Sequence, residues 1–184
     1  MSAGPVQTAL LVPVPEAEPL VGAWRKRYAI DARKGVPAHV TVMFPFLPPE
    51  EIDPGVVGDL NELLGRFEPW DFRFVRAARF PELLYLALDP VEPFRDLIQV
   101  VMERFPGLRP YGGQFELEEV VPHLTVADCG PPGLCEDGSV LDRIEGEIAG
   151  GLPLDATASQ VWLMSGDGEW KVDARFALHG DLTV

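Results

Sequence analysis

Lysine and arginine are scarce in this chain: 15 stand against 29 aspartates and glutamates, for a formal net charge of -14 over 184 residues. Proteins that coat long nucleic acid grip it by neutralising phosphates with cations, so that class is excluded. A small anion held in a locally positive cleft is not. Cysteine is rarer still, at Cys129 and Cys135 alone. Two cysteines build no disulfide framework, and without a secretory signal they are expected as reduced thiols. A zinc site drawn from His123, Cys129 and Cys135 would lack a fourth ligand and a familiar spacing, so no metal is expected. Long apolar runs are missing too. The opening "MSAGPVQTALLVPVPEAEP" has no basic start and is broken by Pro13 and Pro15, which fits neither a signal peptide nor a membrane span. A cytoplasmic protein with no membrane partner is the expectation. Walker loops, Rossmann glycine fingerprints and Gly-x-Ser-x-Gly elbows are also absent.

What the chain has is the composition of a globular domain, 47% hydrophobic and 24% charged. It reads as one domain over residues 1–184, folded as two small lobes packed together. "QTALLVPV", "HVTVMF", "WDFRFV", "LLYLAL" and "HLTVAD" have the branched, alternating character of strands. "EAEPLVGAWRKRYA", "PGVVGDLNELLGRF", "VEPFRDLIQVVMERF" and "SVLDRIEGEIA" carry apolar residues at helical spacing. In the last of these Ser139 is placed to cap the helix. "PGLRPYGGQFELEEVVP" and "CGPPGLCEDG" read as loops, and "TASQVWLMSGDGEWKVDARFALHG" as two strands joined at "GDGE". Interleaved helices with tightly joined strands point to an α+β fold with mostly antiparallel sheets.

Only three histidines occur, and two stand in matching settings: "PAHVTVMFPF" and "VPHLTVAD". Residues two apart on a strand share a face. His39 and Thr41 therefore point one way while Val40 and Val42 enter the core. His123 and Thr125 repeat the pattern over Leu124 and Val126. The two segments lie close to half the chain apart, as a duplicated lobe facing its twin across a cleft would place them. Facing strands would set two imidazoles either side of a central space, with two hydroxyls pointing into it. In-line displacement at phosphorus needs one neutral imidazole to take a proton and one charged imidazole to give one. The hydroxyls can bind the non-bridging oxygens. His179, in "ALHGD", lacks the companion threonine and reads as a terminal surface residue.

The paired "HVTV" and "HLTV", with "PAHVTVMFPF" around the first and "YGGQFELEEVVPHLTVA" around the second, resemble the two-histidine phosphoesterase superfamily. Within it they look like the bacterial RNA 2',3'-cyclic phosphodiesterase or 2'-5' RNA ligase group. The resemblance implies a bilobal α+β fold: two mostly antiparallel sheets, flanking helices and pseudo-twofold symmetry about a central cleft. It implies hydrolysis of cyclic phosphodiester ends to 2'-phosphates, or of 2'-5' linkages, with no cofactor. It makes His39 the proton donor, His123 the acceptor, and Thr41 and Thr125 the phosphate ligands. The acidic balance narrows the partner to a nucleotide or a short RNA end, acted on by a monomer. A module that binds such ends without turnover is the rival of another class, but binding alone needs no paired acid and base.

Around these four residues lie weaker candidates. Arg25, Lys26, Arg27, Arg33 and Lys34 form the densest basic cluster, placed either to steer phosphate at the cleft mouth or merely to complement a helix C-terminus. Arg33 and Lys34, nearest His39, are carried forward as substrate contacts. Tyr111 or Trp170 could stack on a base. Gly112 and Gly113 would allow close backbone approach to a ligand, or simply serve a loop. By strand parity Phe44 and Phe46 point into the core.

Overall fold

The computed structural model describes residues 5–114 and 116–180. Outside it lie the first four residues of the opening segment, Phe115 of "YGGQF", and Asp181 beside His179. Its strands are β1 (Gln7–Pro13), β2 (His39–Met43), β3 (Trp70–Phe80), β4 (Leu83–Asp89), β5 (His123–Asp128), β6 (Leu154–Ala158), β7 (Gln160–Gly166) and β8 (Trp170–Ala177). Its helices are α1 (Glu18–Tyr28), α2 (Ile30–Arg33), α3 (Pro54–Gly65), α4 (Glu92–Arg104) and α5 (Ser139–Ile148).

The strands form two four-stranded sheets, ordered β2-β1-β7-β8 and β5-β4-β3-β6, with antiparallel pairing throughout. Each sheet carries its histidine strand on an edge. Apart from the single turn of α2 before β2, each lobe repeats the order strand, helix, histidine strand, helix: β1-α1-α2-β2-α3 in one and β4-α4-β5-α5 in the other. This is the bilobal, pseudo-twofold α+β architecture that the resemblance implied. The two histidine edges meet, and the helices cross over beneath them: α1 of the first lobe packs on β5, and α4 of the second packs on β2. One continuous core results, running from Leu10 and Val40 in one lobe to Leu86 and Leu124 in the other. Val40, Val42, Leu124 and Val126 are all essentially fully buried. Each stabilises its strand by about 1.5–3 kcal/mol, which anchors the polar side chains between them.

Local chemistry explains the element ends. Asp53 caps α3, accepting from the Val56 amide at 2.9 Å, with Pro54 in the first helical turn. α4 begins with Glu92 and ends with Arg104, as the helix dipole favours. At the β7–β8 hairpin, a Cβ on Gly166 would lie 2.7 Å from the Glu169 carbonyl oxygen and 2.8 Å from the Trp170 ring, so only glycine lets the turn close.

The structure corrects several local expectations. Cys129 and Cys135 are not free thiols but a disulfide, because the turn-rich "CGPPGLC" loop folds the second cysteine back onto the first. Ser139 is not the cap of α5. Asp137 lies two residues ahead, and its carboxylate accepts the Ser139 amide at 2.8 Å. The tail holds three strands rather than two: β6 joins the second sheet, then the chain crosses at Ser159 into β7 and β8 of the first. Phe44 is not a core residue. Leu10 pairs with Met43 and Leu11 with Thr41, so a bulge shifts the side-chain alternation after Thr41. Phe44 turns to the cleft, while Phe46 stays in the core.

Candidate active site

β2 and β5 bring His39, Thr41, His123 and Thr125 to the wall of one cavity of about 440 Å³ between the two sheets. The alternation that buries Val40 and Leu124 leaves these four facing the opening. Each imidazole is held the same way. The Nδ1–H of His39 donates to the Pro37 carbonyl at 2.8 Å, and that of His123 to the Val121 carbonyl at 2.7 Å. A carbonyl can only accept, so Nδ1 carries the proton in both neutral rings and Nε2 is left as the working nitrogen.

The surroundings of the two rings differ. His39 sits beside Arg25 and 3.9 Å from Asp31. Burial, then the Arg25 charge, push its pKa down to about 4, against the opposing pull of Asp31 and the Pro37 carbonyl. His123 packs edge-on against Phe80 and Tyr85, with ring centroids 5.4 and 5.2 Å away. Its pKa is lowered too, by burial. Both imidazoles are thus neutral at pH 7, and an entering anion would favour protonation.

Arg25 is the residue that sequence reasoning misplaced. It is 1% exposed and stands beneath the cleft, not at its mouth. Its guanidinium donates to the Thr125 backbone carbonyl, to Asp31 at 2.7 Å and to the Pro37 carbonyl at 3.3 Å. The signal was available: Arg25 falls between Val21 and Tyr28 on the buried stripe of α1. Of the carried-forward cations, Lys34 lines the cleft. Arg33 does not; its guanidinium turns back to the Arg27 carbonyl. Lys26 is exposed, and Arg27 pairs with Glu136 at 3.2 Å.

Trp170 and Tyr111 both line the cleft, together with Phe44, whose ring lies 6.2 Å from that of Trp170. Burial raises the pKa of the Tyr111 phenol, against an opposing pull from the neighbouring Thr41 hydroxyl. Gly112 and Gly113 have φ of 68° and 84°, so the loop itself needs them. Asp31, Asp128 and Asp167 also stand in the lining. Among the described residues, no three His, Cys, Asp or Glu side chains gather as a metal ion would require. No described helix is long and apolar enough to cross a membrane.

Two lobes related by a pseudo-twofold, each offering one histidine strand to a shared cleft, define a two-histidine phosphoesterase fold. The chain belongs to the 2'-5' RNA ligase superfamily, whose family model matches residues 12–170. A Bacillus licheniformis protein whose name assigns it provisionally to the phosphoesterases is 26% identical over 118 residues, 64% of this chain and 68% of its own. Among solved structures, TT0787 of Thermus thermophilus matches with a TM-score of 0.65 at 20% identity, over 95% of this chain and 99% of that one. Escherichia coli LigT, solved with 3'-AMP, matches at 0.58 and 15% identity, over 95% and 99%. Usb1 of Kluyveromyces marxianus, solved with uridine monophosphate, matches at 0.52 and 16% identity, over 96% and 100%. These three likenesses establish the fold.

Proposed function

We propose that this protein is a metal-independent phosphodiesterase that opens 2',3'-cyclic phosphate ends of nucleotides or short RNA to 2'-phosphates. The observation that carries the reading is the single cavity walled by His39, Thr41, His123 and Thr125. A water attacks phosphorus as one imidazole takes its proton. The bond from phosphorus to the 3' oxygen breaks, and the other imidazole protonates that oxygen. Following the family pattern, His123 is the acceptor and His39 the donor. Because burial and the Arg25 charge keep His39 neutral at pH 7, the donor role requires the anionic substrate to draw its proton in. Thr41 and Thr125 donate to the non-bridging oxygens, where charge sits through the reaction. Trp170 and Phe44 offer faces to a base, and Lys34 stands near as a cation. Nucleotides bound in LigT and Usb1 support a nucleotide ligand here. Both histidine strands come from one chain, so a monomer suffices.

Cleavage or joining of 2'-5' phosphodiesters uses the same groups, and the family description favours it as the second reading. The deciding experiment is a panel of 2',3'-cyclic mononucleotides, cyclic-ended oligonucleotides and 2'-5' dinucleotides, assayed near neutral pH with and without EDTA. Opening of the cyclic substrates to 2'-phosphates, unaffected by chelator, is the expected result. Turnover of the 2'-5' dimers alone would replace this reading with the second. Complete loss in EDTA would overturn the acid-base mechanism.

A further inference from the structure

We propose that Gln7 and Asp167 read the edge of the bound base and select guanine, so that the preferred substrate is a guanosine end. The inference rests on the reading of the cleft as a nucleotide site. In that reading Thr41 takes phosphate at one end of the cavity, and the start of β1 with the β7–β8 hairpin forms the other. Gln7, Ala9 and Leu11 share a face of β1 by period-two alternation, and all three line the cavity. Leu11 pairs with Thr41, so Gln7 stands four residues, about 14 Å, further along the strand. With side chains reaching inward from both ends, that span accommodates one nucleoside. Gln7 pairs with Gly166, and Gly166 with Trp170. The Trp170 ring lies over Gly166, where a Cβ would come within 2.8 Å of it. The ring packs on Leu11, Val36 and Met164, and the Trp170 N–H donates to the Lys34 carbonyl at 2.7 Å. A fixed indole therefore covers this end of the sheet, with Gln7 beside it in register and Asp167 in the turn that precedes it.

A base stacked on the indole turns its polar edge to these two side chains. Guanine offers an acceptor, O6, followed by two donors, N1–H and the 2-amino group. The Gln7 amide can donate to O6, and the acceptor-only Asp167 carboxylate can take both donors. Asp167 Oδ1 already accepts the Gly168 amide at 2.7 Å, which fixes the carboxylate. A carboxylate has about four lone-pair sites, so acceptors remain. Among the described residues, no other side chain bonds Gln7 or Asp167. Adenine and cytosine would set an unprotonated ring nitrogen against the carboxylate, and uracil a second carbonyl oxygen. Each of these is an acceptor facing an acceptor, left without a partner.

The test is calorimetric affinity for the guanosine, inosine, adenosine and uridine 2'-monophosphates, measured on wild type, Asp167→Asn and Gln7→Ala. Thermal unfolding of each checks the fold. Guanosine and inosine stack alike and differ only in the 2-amino group. Wild type should bind guanosine at least about tenfold tighter than inosine, the effect of one hydrogen bond to a charged group. Adenosine and uridine should bind more weakly still. Asp167→Asn should erase the preference for guanosine over inosine. Gln7→Ala should weaken both by roughly three- to tenfold and leave their ratio unchanged, since both carry O6. Equal wild-type affinity for guanosine and inosine, or a preference that survives Asp167→Asn, would overturn the proposal, as would binding of none of the four. A guanosine preference with no turnover of cyclic substrates would sink the reaction proposed above and leave the base reading intact. Turnover of guanosine and inosine cyclic phosphates with equal kcat/KM would do the reverse.

Discussion

Arg25 donates to the backbone carbonyl of Thr125, 100 residues further along the chain. The same guanidinium reaches the Pro37 carbonyl, which also accepts from His39. One buried side chain therefore ties both histidine strands, and their relative placement depends on it. A planar fork with several donors can satisfy three acceptors at once; an ammonium on a flexible stem does so poorly.

Replacing Arg25 by Ala or Lys should therefore destabilise the fold and misalign the site. Removal takes this donor from Asp31 and from the Thr125 carbonyl and leaves the Pro37 carbonyl to His39 alone, at about 2–4 kcal/mol. Urea unfolding is the measurement, and Arg25→Lys should recover less than half of the loss. A variant as stable and active as wild type would show that the pin is dispensable.

His39→Ala and His123→Ala should each lower turnover of a cyclic mononucleotide by about 10²–10⁴-fold with folding retained. The double variant should be little worse than either alone, since a proton donor is useless without its acceptor. Steady-state kinetics, with circular dichroism as the folding control, reads both effects.

The depressed histidines give stability a pH dependence of known sign. His39 has a folded pKa of about 4 against an ordinary 6.5, so below pH 6.5 the unfolded chain binds a proton that the folded chain refuses. Stability falls as pH drops from 6.5 towards 4, by about 3 kcal/mol from this residue, and His123 acts in the same direction. Unfolding of wild type and His39→Asn compared across that range should converge at acid pH; parallel curves would refute the assignment. For catalysis the singly protonated free enzyme peaks on the acid side of 6.5. The optimum of kcat/KM should lie there, and that of kcat higher, because bound anion raises both pKa values.

Among the described residues lining the cleft, Lys34 is the one lysine or arginine opposite Asp128 and Asp167, Asp31 being engaged by Arg25. Substrates with extra phosphates should be repelled. A cyclic-ended oligonucleotide should show kcat/KM at least about tenfold below the mononucleotide at low salt, with the gap narrowing as salt screens the repulsion. Oligonucleotide turnover that falls with salt, as for an ordinary RNA-binding surface, would contradict this.

The Cys129–Cys135 disulfide closes a short loop directly after β5. Chain-entropy arguments give a loop of this length about 2 kcal/mol of stabilisation. Cys135→Ser, or reduction, should lower the unfolding free energy by about that amount. An unchanged midpoint under reductant would mean that the bridge contributes nothing.

Much of this was legible from local pattern. Period-two alternation around His39 and His123 identified the strands, their polar faces and the four cavity residues together. Helical spacing found α1, α3, α4 and α5. Where reading failed, the deciding contact came from elsewhere in the chain. Phe44 was misassigned because a bulge depends on how β1 pairs with β2. The tail from Thr157 was read as two strands because nothing local says that Thr157 and Ala158 end β6 in one sheet while β7 begins at Gln160 in the other. Arg25 was read as surface charge because its acceptors, Asp31, Pro37 and Thr125, lie outside its own helix.

Side-chain periodicity is a property of neighbouring residues, so the chain's own order determined which atoms face out from each strand and hence which groups were available for chemistry. Whether those groups meet depends on sheet order, helix crossover and a buried guanidinium bridging two lobes. Such contacts form between residues far apart in the chain, and only the packed structure decided them.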